Sequence, residues 1–279
     1  VIVERELRPR LIIETHAKAI PLALINARLS ERSHRRWAKM GASAKMLLTR
    51  FATLIAQTQP TADALIALGA DPARVCGSGD LKAASDRLPV DTADLARLKV
   101  LIGDRPTWIA ASTHPGEEEI VAMAHTTDAL LILAPRHPER GDAIADMLRA
   151  RGRRLAQRSK GEDPGPETQI YLADTLGELG LWFALSPIVF LGGSLTPVGG
   201  HNPFEPAQFG CAVLHGPHVT NAAQTYAALT AKGAAREVTD AEQLNAALAD
   251  LRDPTELEAM RTAAQAFSRE RLGIRIDVA

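Results

Sequence analysis

The run Ile188-Val-Phe-Leu191 passes into Gly192-Gly-Ser-Leu-Thr-Pro-Val-Gly-Gly-His-Asn-Pro-Phe-Glu-Pro206. A short apolar β run thus empties into a glycine-rich turn, and the turn ends where a helix can begin. Asn202 is a good N-cap, Pro203 suits the first helical position and Glu205 completes a capping box, so a helix is expected from here to Gly210. Strand, turn and helix in that order form the repeating unit of a parallel sheet covered by helices, and the alternation recurs along the whole chain. The fold class is α/β.

Outward from this stretch, runs at 107–111, 130–134, 169–173 and 212–214 join 188–191 as five strands, enough for a Rossmann-like domain. The first third holds four shorter runs, 11–14, 21–26, 53–57 and 74–77, which read as a sheet without its beginning. Residues 30–50 read as one helix carrying Arg32, Arg35, Arg36, Lys39, Lys45 and Arg50 against Glu31 alone. A solvated face outweighs lipid headgroup contact as its explanation. Residues 83–106 are polar, Asp-rich and interrupted by Pro89, the composition of a linker with a short helix. The boundary is placed there, giving domains 1–88 and 89–279. Near the end, 240–251 is helical with Thr239 or Asp240 as cap, and Asp253-Pro254 opens a long final helix.

Composition bounds the function. The 279 residues are 46% hydrophobic and 23% charged, which fits about two globular domains and excludes a disordered or fibrous chain. Lys plus Arg at 32 against Asp plus Glu at 33 leaves no global attraction to nucleic acid. Cys76 and Cys211 show neither disulfide nor zinc spacing, as expected of a reducing compartment. No run approaches the roughly 20 apolar residues of a spanning helix; 181–193 is broken by Ser186 and Pro187. The opening Val1-Ile-Val3 reads as a strand interior without a signal-peptide pattern, so a preceding segment is expected.

Ligands of parallel sheets bind outside the carboxyl ends of the strands, which directs attention to four turns. Ser112-Thr-His-Pro-Gly-Glu-Glu-Glu119 offers hydroxyls and an imidazole, while its acids suit a helix dipole without any function. In Pro135-Arg-His-Pro-Glu-Arg140, Arg136 can answer a phosphate, although an isolated Arg there would be read as paired with Glu139. In Asp174-Thr-Leu-Gly-Glu-Leu-Gly180, Thr175 and Glu178 fit a capping box. Gly177 and Gly180 early in a helix cost about 1 kcal/mol each relative to Ala, which close approach of a ligand or helix packing would offset. The fourth turn is the opening one: its helix start favours an anion, and Glu205 needs hydroxyl donors such as a ribose, so a nucleotide is expected. There is no G-x-G-x-x-G, P-loop or Asp-x-Asp pair, which leaves a dinucleotide oxidoreductase or P-loop ATPase unsupported. An anionic leaving group would rely on Arg136 and helix N-termini in place of metal.

Taken in order, these turns resemble the 3-deoxy-D-manno-octulosonic acid (Kdo) transferase family of lipopolysaccharide biosynthesis. The matching stretches are Asn26-Ala-Arg-Leu-Ser-Glu-Arg-Ser33, Ala111-Ser-Thr-His114 with Gly116-Glu-Glu118, Pro135-Arg-His-Pro-Glu-Arg140, Gly177-Glu178, Gly192-Gly-Ser194, Gly199-Gly-His-Asn-Pro203 and Gly216-Pro-His218. The resemblance spans nearly the whole chain. It implies a GT-B glycosyltransferase of two Rossmann-like domains, the first incomplete here, that moves Kdo from CMP-Kdo to a lipid A precursor (lipid IVA). Transfer would invert the anomeric carbon and need no obligatory metal, other cofactor or nucleic acid. Residues 1–88 would belong to the acceptor-side domain and 89–279 would bind the CMP-sugar.

Carried over by position, Pro135, Arg136, Leu176, Gly177, Glu178, Asn202, Pro203, Phe204 and Glu205 would contact CMP. Arg136 and helix starts at Thr175 and Pro203 would bear the phosphate, and Glu205 the ribose. Ser112, Thr113, His114, His137, Ser194 and His201 are further candidates. The resemblance puts the membrane anchor and the catalytic Glu before Val1, at the cytoplasmic face of the bacterial inner membrane, so no catalytic residue or metal ligand is assigned here. Two departures stand out: Glu4-Arg-Glu-Leu-Arg-Pro9 lacks the family's aromatic, and Asp80 replaces the more usual Asn before Leu81-Lys82. The alternatives are another GT-B transferase using a UDP-sugar and an inert nucleotide-binding module lacking its base.

Overall fold

A computed structural model describes residues 2–3, 7–77, 87–126 and 128–273. Backbone proximity separates two compact units: the first takes in the described residues up to 77 and residues 271–273 at the end of the final helix, and the second the described residues from 87 to 270. The stretch 83–86 of the expected linker, Asp80 with its neighbours Leu81 and Lys82, and residues 4–6 of the departing stretch lie outside the described residues.

The first unit runs β1 (Ile2–Val3), α1 (Pro9–Ala17), β2 (Leu22–Ala27), α2 (Glu31–Lys39), α3 (Gly41–Leu48), β3 (Phe51–Ala56), α4 (Gln59–Ala67) and β4 (Val75–Gly77). Its strands pair in parallel in the order β1-β2-β3-β4, around a core that includes Ile12, Leu24, Leu47, Phe51, Leu54 and Leu65. Two expectations fail here. Residues 11–14 form part of α1, with Pro9 in its first turn: of that apolar run only Ile12 is buried, whereas Leu11 and Ile13 lie exposed, which is one-sided helical burial. The single helix expected at 30–50 is two. Ser30 caps α2 by accepting from the Ser33 N–H at 3.2 Å, and Met40 leaves helical geometry at φ −112°, ψ 38° before Gly41, a poor helix former.

The second unit runs α5 (Thr92–Ile102), β5 (Thr107–Thr113), α6 (Glu117–Ala124), β6 (Leu130–Pro135), α7 (Gly141–Ala150), β7 (Leu155–Gln157), β8 (Ile170–Leu172), α8 (Leu179–Leu185), β9 (Ile188–Leu191), α9 (Phe204–Gln208), β10 (Ala212–His215), α10 (Ala223–Ala231), β11 (Ala235–Glu237), α11 (Ala241–Asp250) and α12 (Pro254–Gly273). All seven strands are parallel, ordered β11-β10-β9-β5-β6-β8-β7.

The five expected strands are present, and β6, β8, β9 and β10 are buried at every position, as sheets covered on both faces require. Within β6, Leu131 and Leu133 join one apolar cluster while Leu130, Ile132 and Ala134 join another, one on each face. The unexpected strands, β7 and β11, are the two edges. Asp240, not Thr239, caps α11, accepting from the Gln243 N–H at 2.9 Å. Among the described residues no helix is long and apolar enough to cross a membrane. After β5 the chain moves outward to β6, and β9 later returns to pair with the other side of β5. That reversal opens a crevice between the carboxyl ends of β5 and β9.

Candidate functional site

Two loops border the crevice. At the end of β5, Ser112 takes φ +56°, and beyond the strand Gly116 takes φ +95°, a sharp turn that sends Glu117 back toward the sheet. Its fully buried carboxylate accepts four backbone N–H groups: His114 (2.9 Å) and Gly193 (2.7 Å) on Oε2, Ser194 (2.9 Å) and Leu195 (2.8 Å) on Oε1. Amides at the end of β9 are therefore already given to an internal anion. Gly192 permits the approach, since a Cβ there would lie 2.6 Å from the Ser112 carbonyl oxygen and 2.7 Å from Thr113 Cα.

Several candidates are held by partners within the fold. The buried Ser194 hydroxyl donates to the Leu191 carbonyl at 2.6 Å and accepts from the Gly216 N–H at 2.8 Å, so both bonds tie the loop to the sheet. The Thr113 hydroxyl donates to Glu118 Oε1 at 3.1 Å, and that carboxylate also holds Arg140 through contacts of 2.8 and 3.1 Å. Ser112 is buried. The acids at 117–119 do more than suit a dipole: Glu117 and Glu118 are buried cross-links, and Glu119 pairs with Arg151 at 2.9 Å.

The Gly200 N–H donates to the Gly193 carbonyl at 2.7 Å, folding the long loop back on itself. His201 is thereby laid over His114, with ring centroids 5.2 Å apart, planes 12° apart and Nε2 atoms 2.9 Å apart. His137 meets His114 edge-on at 5.8 Å. Burial pushes His201 down to about 4, aided by His114, Arg136 and His137 and opposed by Glu117. Burial also lowers His114, with Glu117 and Glu118 opposing and His137 and Arg136 assisting. The Arg136 N–H donates to the Thr113 carbonyl at 3.0 Å. Its side chain is exposed and has no hydrogen-bond or ion-pair partner among the described residues. Glu139, the partner a surface reading would give it, lies instead 3.3 Å from His137 Nδ1.

At the end of β8, Thr175 contacts the Glu178 carboxylate, but α8 begins only at Leu179, so there is no helix start at Thr175 to bear a phosphate. Arg158 holds Glu178 at 3.2 and 2.6 Å and reaches Asp94 at 2.5 Å. Leu176 is 79% exposed. Gly177 serves a turn at φ +82°, and Gly180 lies against the Pro89 carbonyl, so conformation and packing account for both glycines. The α9 start is shifted as well: the helix spans only Phe204–Gln208, with Pro203 in the capping position. Asn202 Oδ1 accepts from the Phe204 N–H at 3.1 Å and Asn202 Nδ2 donates to Glu205 Oε1 at 3.3 Å, replacing the reciprocal capping box. Phe204 is buried against Phe267, ring centroids 6.3 Å apart, and Pro203 and Pro135 are buried too. Burial raises the Glu205 carboxyl, opposed by the Asn202 bond.

The turns after β9, β5, β6 and β8 leave four adjacent strands, a rim of ~15 Å at the usual interstrand spacing. Along it lie His201, Asn202 and Glu205, then His114, then Arg136 and His137, then Leu176 and Glu178. Glu117, Arg140 and Arg158, which hold this rim together, were not singled out in the sequence. A signal existed for Glu117: three successive acids fan over about 200° of a helix, so they cannot all face water alike.

Comparison with known proteins follows the same line. The family 3-Deoxy-D-manno-octulosonic-acid transferase (kdotransferase) matches residues 1–85. The 3-deoxy-D-manno-octulosonic acid transferase of Haemophilus influenzae is 37% identical over 228 residues, 79% of this chain and 53% of that protein. The transferase of the same name from Bordetella pertussis is 33% identical over 284 residues, 98% of this chain and 66% of that protein. The chain thus spans between about half and two thirds of the length of these relatives. The crystal structure of the C-terminal CMP-Kdo binding domain of WaaA from Acinetobacter baumannii is 32% identical, with a TM-score of 0.59, over 63% of this chain and 97% of that one.

Proposed function

The chain belongs to the Kdo transferase family, and from that premise we propose that it is a glycosyltransferase of GT-B architecture moving Kdo from CMP-Kdo to a lipid A precursor. In this reading the second unit holds the donor, and transfer inverts the anomeric carbon at the cytoplasmic face of the bacterial inner membrane. The observation that carries the reading is Arg136: an exposed guanidinium without a partner among the described residues, at the end of β6 and beside the switch-point crevice.

A guanidinium not engaged by a carboxylate can give planar, charged hydrogen bonds to the CMP phosphate. As the sugar leaves, negative charge builds on that phosphate, and Arg136 meets it in place of metal. Glu205, steadied by Asn202, accepts from the ribose hydroxyls. Leu176 and Gly177 supply an apolar ledge and open backbone for the nucleoside, and Glu178 is kept in place by Arg158. Phe204, Pro203 and Pro135 shape the rim from beneath. No residue of this chain is assigned as general base.

Calorimetric titration with CMP and UDP tests the assignment. Saturable binding of CMP, tighter than UDP, is expected; tighter binding of UDP would move the protein to UDP-sugar transfer.

A further inference from the structure

We propose that the His114–His201 pair is an anion subsite coupled to a proton, taking up one proton when the phosphate or the carboxylate of the donor settles beside Arg136. The inference rests on the donor-binding reading above and adds to it.

The geometry limits what the pair can do. An Nε2 to Nε2 contact of 2.9 Å requires one ring to carry its hydrogen there and the other to accept. The accepting ring must then hold its hydrogen on Nδ1, while the donating ring has a bare Nδ1. One proton can be added at that bare nitrogen and leave the contact intact. A second would set two N–H groups head to head. The rings therefore titrate as a unit with room for one positive charge.

The charges around the pair are set against each other. From α6, the Glu117 and Glu118 carboxylates face it; from the β6 turn, Arg136 and His137 do. From α10, the Tyr226 hydroxyl donates to the His201 carbonyl at 2.8 Å. Glu117 is saturated by four amides and cannot swing toward a ring, so it acts as a fixed negative charge under the pair. Burial, with Arg136 and His137 assisting, lowers both rings when no ligand is bound. An anion resting on Arg136 cancels the repulsion from that side and adds its own attraction, while Glu117 stays as the counter-charge. The proton comes from solvent to the bare Nδ1, which thereby becomes an N–H donor.

The donor carries two anions of this kind, a phosphate diester and the carboxylate of a sugar acid, and two probes separate them. The methyl ester of CMP has a phosphate diester that does not titrate near neutrality; free Kdo has only the carboxylate. Calorimetry of the full chain at pH 6.5, in two buffers of different ionisation enthalpy, counts protons taken up per ligand bound. A substantial fraction of one proton is expected for at least one probe, with affinity for it rising toward tenfold per pH unit on acidification. Uptake with the ester alone assigns the phosphate, and uptake with Kdo alone assigns the carboxylate. Both effects should disappear in His114→Gln and in His201→Gln.

Binding by the unmodified chain without proton uptake overturns the inference and leaves the donor site standing. Uptake that survives in both variants also overturns it, as does uptake lost only in His137→Gln. If neither probe binds at any pH, the donor-binding reading falls and takes this inference with it.

Discussion

Two charged residues at the rim are treated in opposite ways, and each carries a test. Arg136 is exposed and unpartnered among the described residues, so Arg136→Ala should leave stability within about 0.5 kcal/mol of the original. It should also weaken CMP binding by about 1.5 to 3 kcal/mol, roughly 12- to 150-fold, the value of a charged hydrogen bond. Calorimetry and thermal unfolding on the same sample separate the two, and unchanged affinity would make Arg136 a mere surface charge. Glu117 is buried and saturated. Glu117→Gln keeps its shape but turns one accepting oxygen into an amide nitrogen that faces two N–H groups, at a cost of about 2 to 4 kcal/mol in urea unfolding. A cost below ~1 kcal/mol would show that the carboxylate does not organise the two loops. Arg136 was legible only through convergence: an isolated Arg in that turn reads as paired with Glu139, and its place among four strand-end turns is what points it at a ligand. Glu117 was not, because an acid in a first helical turn already has a sufficient one.

Among elements, the interior strands were legible and the edges were not. Strands β6 and β9 are flanked on both sides and covered on both faces, which forces continuous apolar runs. Leu155–Gln157 and Ala235–Glu237 have a partner on one side only and are three residues long, so no such run marks them. Helix starts misled for a related reason: Thr175 and Glu178 have the right spacing for a cap, yet the chain spends that contact inside a turn and starts α8 at Leu179. The close passage of the β5 and β9 loops is testable through Gly192→Ala. The added Cβ meets backbone at 2.6 and 2.7 Å, atoms that cannot rotate away. A loss of about 1 to 3 kcal/mol in stability is expected, with weaker CMP binding as the loops part. Alanine tolerated at no cost in either assay would mean that the two loops are free to separate.

For the molecule as a whole, acid sensitivity follows from a histidine far from the rim. His125 is buried and accepts from Trp108 Nε1 at 3.2 Å; burial, with Arg153 and Arg105 assisting, pushes it down to about 4. The unfolded chain would protonate it near 6.5, so between those values the unfolded state binds more protons. Stability is fully present above about pH 6.5 and declines as pH falls toward 4, by about 2 kcal/mol at pH 5 from this residue alone. Urea midpoints at pH 7 and pH 5 should show the decline, and His125→Gln, which keeps an acceptor for Trp108, should remove the share of His125 while leaving that of His201 and His114. Greater stability at pH 5 than at pH 7 would reverse the sign and refute the account.

Periodicity and turn chemistry by themselves determined the α/β class and the five inner strands of the second unit, and with them where the strand-end loops lie, because these depend on burial and on local backbone preference. Only the tertiary structure decided which polar groups in those loops remain free. Ser194, Thr113 and the amides at the end of β9 are consumed by partners as far as 78 positions away along the chain. Arg136 is left open because Glu139 turns to His137. The long-range pairings of Glu117 and Ser194 arise from strand order, which brings the ends of β5, β9 and β10 side by side, and no spacing within one segment encodes them.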